Sequence, residues 1–111
     1  MKLSEIASTL GAKILTRLAE GDADIKRVWA GDKMSDLLNA ASNDLLLVTN
    51  LNNQQLIRAA ELMDIPAICL LHGIAPDAEF VKSVDKIGTI LMLSPFGMYE
   101  TCGKIFRFLN P

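Results

Sequence analysis

Aromatic residues, histidine and cysteine are all scarce in this chain. Aromatics make up 5% of 111 residues, histidine occurs once and cysteine twice. Few aromatics imply a core of Leu, Ile, Val, Ala and Met. A lone histidine, His72, excludes a histidine-rich metal site. Cys69 and Cys102 form no C-x-x-C pair, show no metal spacing and stand in apolar surroundings, so they read as buried free thiols. Neither has the exposed, electropositive setting of a reactive thiolate. Excess positive charge is missing too: 11 basic residues face 13 acidic ones, for a net charge of −2. Nucleic-acid binding needs a positive footprint, whereas Lys26-Arg27 and the split Lys104/Arg107 read as solvated positions. No apolar run approaches the roughly 20 residues that span a bilayer. Lys2 leads into a polar-broken amphipathic segment, not a secretory leader. Together these absences predict a reduced, soluble, cytoplasmic protein with no nucleic-acid or membrane partner, no metal and no cofactor.

Familiar nucleotide motifs are also absent. There is no G-x-x-x-x-G-K-[ST] and no G-x-G-x-x-G after a strand. A phospho-acceptor receiver would need several acids at strand ends, and only Asp32 qualifies.

What is present is a regular alternation of elements. The length fits one domain over residues 1–111, large enough to bury a core without staples. The organising stretch is Ile65–Pro76. Its run Ile65–Leu71 is almost wholly apolar, with Pro66 near its start and Gly73 just past its end, so it reads as a buried strand. Apolarity without alternation predicts cover on both faces, as in parallel sheets.

Around it, Leu3–Leu10 reads as a helix capped by Ser4 and stopped by Gly11, and Ala12–Thr16 as a short strand. Arg17–Asp24 reads as a polar loop and Ile25–Ala30 as an edge or partly covered strand. Gly31–Asp36 turns into a helix that Asp32 or Ser35 can cap, ending at Ala41 or Ser42. Asp44–Thr49 is a strand and Gln54–Asp64 a helix with Leu56, Ile57, Ala60 and Met63 inward. Beyond Pro76-Asp77 a helix carries Phe80, Val81, Val84 and Ile87 on one face and stops at Gly88. Thr89–Leu93 is the last strand. Ser94-Pro95 opens a final helix to about Leu109, with Met98, Tyr99, Cys102, Ile105 and Phe106 inward. Short linkers between alternating strands and helices predict an α/β fold: a mostly parallel five-stranded sheet with helices on both faces, a three-layer sandwich.

In such sheets ligands settle beyond the carboxyl ends of the strands, where helix N-termini favour anions. The candidate ligand contacts there are Asp32, Ser35, Asn50, Asn52, His72, Gly73 and Ser94. The same residue types also serve as plain caps and turns. His72 has no orienting carboxylate nearby in sequence, although Asp32 or Asp77 could approach it in space. Trp29, in an irregular strand, and Phe108, on the polar side of the last helix with Thr101 and Lys104, are the candidate interface residues.

Several of these stretches resemble DRTGG domains. They are Met1–Ala7 running into Gly11–Thr16, Gly31–Asp36, Asp44–Thr49, His72–Asp77 and Ser94–Thr101. The resemblance covers nearly the whole chain in pattern and order. Where the family often has two glycines after the fourth strand, this chain has His72-Gly73. DRTGG domains resemble the N-terminal domain of HPr kinase/phosphorylase. They also occur beside phosphotransacetylase domains and between the CBS domains of some inorganic pyrophosphatases, where they are accessory, regulatory or dimer-forming. The resemblance therefore implies a stand-alone, non-catalytic regulatory module, dimeric, that senses a small anionic or nucleotide-like ligand or docks on a metabolic enzyme. A purely structural adaptor and a small enzyme using His72 are the alternatives.

Overall fold

A computed structural model describes residues 1–17 and 22–111. The centre of the polar loop expected over 17–24, residues 18–21, lies outside them. In chain order the elements are α1 (Leu3–Leu10), β1 (Lys13–Ile14), β2 (Arg27–Ala30), α2 (Met34–Ala40), β3 (Leu45–Val48), α3 (Gln54–Leu62), β4 (Ala67–Leu70), α4 (Ala78–Lys86), β5 (Ile90–Leu93) and α5 (Met98–Leu109).

The sheet runs β1-β5-β4-β3-β2. Strands β2 to β5 are mutually parallel, and β1 joins β5 antiparallel. The expected mostly parallel sheet is therefore present, with β4 at its centre and β2 on an edge. Every residue of β3, β4 and β5 is buried. Alternation of side chains across the pleat divides them between two cores. Leu46, Val48, Cys69 and Met92 pack with Leu3, Ile6 and Leu10 of α1 and Ile105 of α5. Leu47, Ile68, Leu70 and Leu91 pack with Leu37 of α2, Leu56 and Ala60 of α3, and Phe80 and Val84 of α4. Helices thus cover both faces, and the three-layer architecture follows from unbroken apolarity in the central strands.

Helix starts explain where the sheet's exits lead. Asn53 accepts from the Leu56 N–H at 3.0 Å and begins α3, and Asp77 accepts from the Phe80 N–H at 2.8 Å and begins α4. Both groups satisfy amide donors that a first helical turn leaves free.

Other helix starts differ from the sequence reading. Ser4 does not cap α1: Lys2 occupies that place, and Ser4 donates from its backbone N–H and hydroxyl to the Asp22 carboxylate. Asp22 reaches the first turn from across the chain, a partner local spacing cannot reveal. Neither Asp32 nor Ser35 caps α2, whose N-cap Lys33 makes no side-chain cap bond. Ser94-Pro95 does not open α5 directly, because the N-cap is Gly97.

The facing of α5 is corrected as well. Its buried residues are Thr101 and Ile105. Tyr99 and Phe106, expected inward, are 94% and 69% exposed. Phe108, expected on the polar side, is half-buried against the core beneath α1 and α5. Thr101 turns inward because its hydroxyl finds the Ser94 hydroxyl at 2.7 Å. A buried hydroxyl with a partner carries little penalty, so polarity alone misassigned the face.

Candidate functional site

Because β2 to β5 point the same way, their exit turns gather on one rim. In-register pairs place Ala30 beside Val48, Val48 beside Cys69, and Cys69 beside Met92. The residues that follow these pairs are the sequence's ligand candidates.

Asp32 organises one end of the rim. Its Oδ1 accepts from the Thr49 hydroxyl at 2.9 Å and the Asn50 N–H at 2.7 Å. Its Oδ2 accepts from the Asn50 Nδ2 at 3.1 Å. Partial burial pushes this carboxyl's pKa up, but the Asn50 and Thr49 hydrogen bonds together outweigh it, so the pKa lies below the usual aspartate value. Asp32 is therefore a carboxylate that holds Asn50 in place. Thr49, fully buried, accepts in turn from the Leu51 N–H at 3.1 Å. Gly31 leaves room for the neighbouring Trp29 ring, which would sit 2.9 Å from a Cβ there. Trp29 itself is half-buried against the core beneath α2, α3 and α4.

His72 sits at the other end. Its backbone is in the left-handed region, φ 65°, and Gly73 follows at φ 64°. Glycine takes such angles freely; histidine does so with strain. The His72 N–H donates to the Phe96 carbonyl at 2.7 Å and the Gly73 N–H to the Ser94 carbonyl at 2.8 Å, which pins the turn. The imidazole lies over Gly97, where a Cβ would come within 3.1 Å of the ring. Gly97 was absent from the sequence's candidates. Its role depends on a ring arriving from a distant turn, and nothing in Pro95-Phe96-Gly97 announces that.

Between these ends is a cavity of about 160 Å³ lined by Asn50, Asn52, Leu70, Leu71, His72 and Ile74. Ile74, 74% exposed, forms an apolar lip. The structure thus brings Asn50, Asn52 and His72 together, with Asp32 bonded to Asn50. Gly73 shapes the turn. Ser35, exposed on the first turn of α2, does not line the cavity. Ser94 is corrected from a ligand contact to an internal residue: it is fully buried, bonded to Thr101 and accepting from the Phe96 N–H at 3.2 Å.

The carboxylates near the rim already have partners. The carboxylate of Asp77 is committed to capping α4 and that of Asp32 to Asn50 and Thr49. Neither hydrogen-bonds His72, so among the described residues neither expected carboxylate orients the imidazole as a base. Cys69 is buried, and burial pushes its thiol up to about 12, away from the thiolate. Among the described residues no cluster of three or more His, Cys, Asp or Glu could hold a metal, and no helix is long and apolar enough to cross a membrane.

Comparison with known proteins adds the fold. The chain is similar to the CBS and DRTGG domains of the regulatory region of Clostridium perfringens pyrophosphatase, solved in complex with its activator, diadenosine tetraphosphate. The TM-score is 0.73 at 15% identity, over 93% of this chain and 45% of that one. The fold is DRTGG-like. A counterpart in three dimensions therefore stands behind the DRTGG resemblance of the sequence, and that counterpart belongs to a regulatory region, not a catalytic one. This chain spans less than half the length of the pyrophosphatase fragment, and at 15% identity the likeness shows the fold alone. No protein-family profile matches the chain, and no curated protein matches it in sequence.

Proposed function

We propose that residues 1–111 form one DRTGG-like regulatory module of the cytoplasm, non-catalytic and dimeric, which senses a small ligand at the rim formed by Asn50, Asn52 and His72. The observation that carries this reading is His72. A strained backbone is tolerated where the DRTGG pattern often has glycine, and Gly97 leaves space for the ring. Such a backbone at the mouth of a cavity motivates a functional reading. The pyrophosphatase structure supports the regulatory part, because its regulatory region is bound to a nucleotide activator.

The cavity limits what the ligand can be. At about 160 Å³ it is smaller than the roughly 300–1,000 Å³ of sites that enclose drug-sized molecules. It suits one polar moiety, such as a base edge or sugar hydroxyls, gripped by two amides and an imidazole. The ionised Asp32 disfavours a phosphate beside Asn50, so the anionic part of a nucleotide-like ligand would lie toward His72.

A thermal-shift screen of nucleotides and phosphorylated metabolites tests this. A ligand at about 100 times its Kd should stabilise the fold by about 2.7 kcal/mol. Asn50→Ala should abolish that shift. His72→Gly should abolish it too while raising the unliganded stability by up to about 1 kcal/mol, because glycine relieves the left-handed strain but costs more chain entropy. A screen with no hit would refute sensing.

Trp29 and Phe108, both half-buried, would contribute to a dimer interface only through their exposed edges.

A further inference from the structure

The outer face of α5 has a composition that the fold of the chain does not require. Tyr99 is 94% and Phe106 69% exposed. They lie one helical turn to either side of Gly103, on the side opposite the buried Ile105. Glycine within a helix weakens it relative to alanine. Among the described residues nothing fills that space: apart from the neighbouring residues and the helix's own backbone, no atom lies within 4 Å of where a Cβ would be. The position is a notch between aromatic residues, open to the outside.

Charges share this face. Glu100 lies before the notch and Arg107 after it. Lys104, between them in sequence, is placed over the Phe96 ring at 4.9 Å and approaches Glu100 only to 3.9 Å. Beside the stripe an apolar hollow of about 210 Å³, lined by Val28, Ala30, Cys102, Ile105, Phe106 and Leu109, leads to the open edge strand β2.

We infer that this face is where two copies of the chain pack, α5 against α5 in antiparallel, crossing at Gly103. The inference specifies the dimeric part of the reading above and does not depend on its ligand part. A small residue at the crossing lets two helix axes approach closely. The helical period puts Tyr99 and Phe106 on one flank of Gly103 and Glu100 and Arg107 on the other. A two-fold axis between the helices at the level of Gly103 reverses their direction and keeps each flank on its own side. Tyr99 then packs on Phe106 of the second copy. Glu100 pairs with Arg107 of the second copy. Each contact occurs twice, as an isologous interface requires. Parallel packing would instead set Arg107 beside Arg107 and Glu100 beside Glu100, so charge complementarity selects the antiparallel arrangement.

Sedimentation equilibrium of the chain and of five variants tests this. The unmodified chain should be a dimer at roughly 0.1 mM. Glu100→Arg and Arg107→Glu should each weaken association at least about tenfold, and the two together should restore it, because the charges are exchanged across the axis. Gly103→Leu should give a monomer. Gly103→Ala should raise the melting temperature of the monomer, through helix propensity, while weakening the dimer. The last result separates loss of the interface from loss of the fold. A chain that stays monomeric at that concentration overturns the inference. So does a dimer that ignores Gly103→Leu, or a double charge exchange that fails to restore association. A monomer that still responds to ligand removes this inference and leaves sensing in place. A dimer that behaves as expected with no ligand response does the reverse.

Discussion

Ile68→Ala should lower the unfolding free energy by about 2–5 kcal/mol, the range for truncating a large aliphatic side chain in a rigid core. Ile68 is fully buried at the middle of β4, the central strand. It belongs to the core that joins the sheet to α2, α3 and α4. Its strand is held from both sides, by β3 and β5, so the backbone cannot close the space left behind. A domain of this size is stable by only about 5–15 kcal/mol. The loss would therefore take a large share of the total and lower the melting temperature by roughly 10 °C or more. Urea denaturation should show a reduced midpoint with an unchanged slope. A loss below about 1 kcal/mol would mean that β4 is not packed between two layers.

Asp32→Ala should have the second-largest effect, about 1–2 kcal/mol, and should remove any ligand response as well. The carboxylate accepts three hydrogen bonds, from Thr49 and from the backbone and side chain of Asn50. Bonds to a charged acceptor are among the stronger ones, but Asp32 is largely exposed, and solvent screening reduces their net worth. Without it Thr49 loses its acceptor and Asn50 loses its orientation at the cavity.

Asp32 also sets a pH dependence. Its folded pKa lies below the ordinary value of 3.8, so the unfolded chain takes up the proton first as the solution is acidified. The stabilisation is fully present above 3.8 and fades as pH falls through the folded pKa. Asp22, Asp24, Asp44 and Asp85 are shifted in the same direction and add to the acid lability. Comparing unmodified chain with Asp32→Asn between about pH 6 and pH 3 isolates the contribution. The difference should be constant at the upper end and shrink at the lower end. A difference that holds steady down to the lowest pH would show that folding does not lower the Asp32 pKa.

Local sequence determined most of the architecture. Continuous apolar runs at Leu45–Val48, Ala67–Leu70 and Ile90–Leu93 demanded burial on both faces. Short linkers between strands and helices then left a parallel order as the consistent topology, and that order places Asn50, Asn52 and His72 on one rim. These signals are local, because side-chain periodicity and turn chemistry act over a few residues. Tertiary structure decided what depends on distant partners. Ser94 and Thr101 are internal because each supplies the other's hydrogen bond. Asp32 is a brace because Asn50 arrives from the neighbouring strand. Tyr99 and Phe106 face outward because Thr101 and Ile105 take the inner side of α5. Polarity ranks residues singly, whereas burial of a polar group depends on a partner far away in sequence, and that partner exists only once the chain has folded.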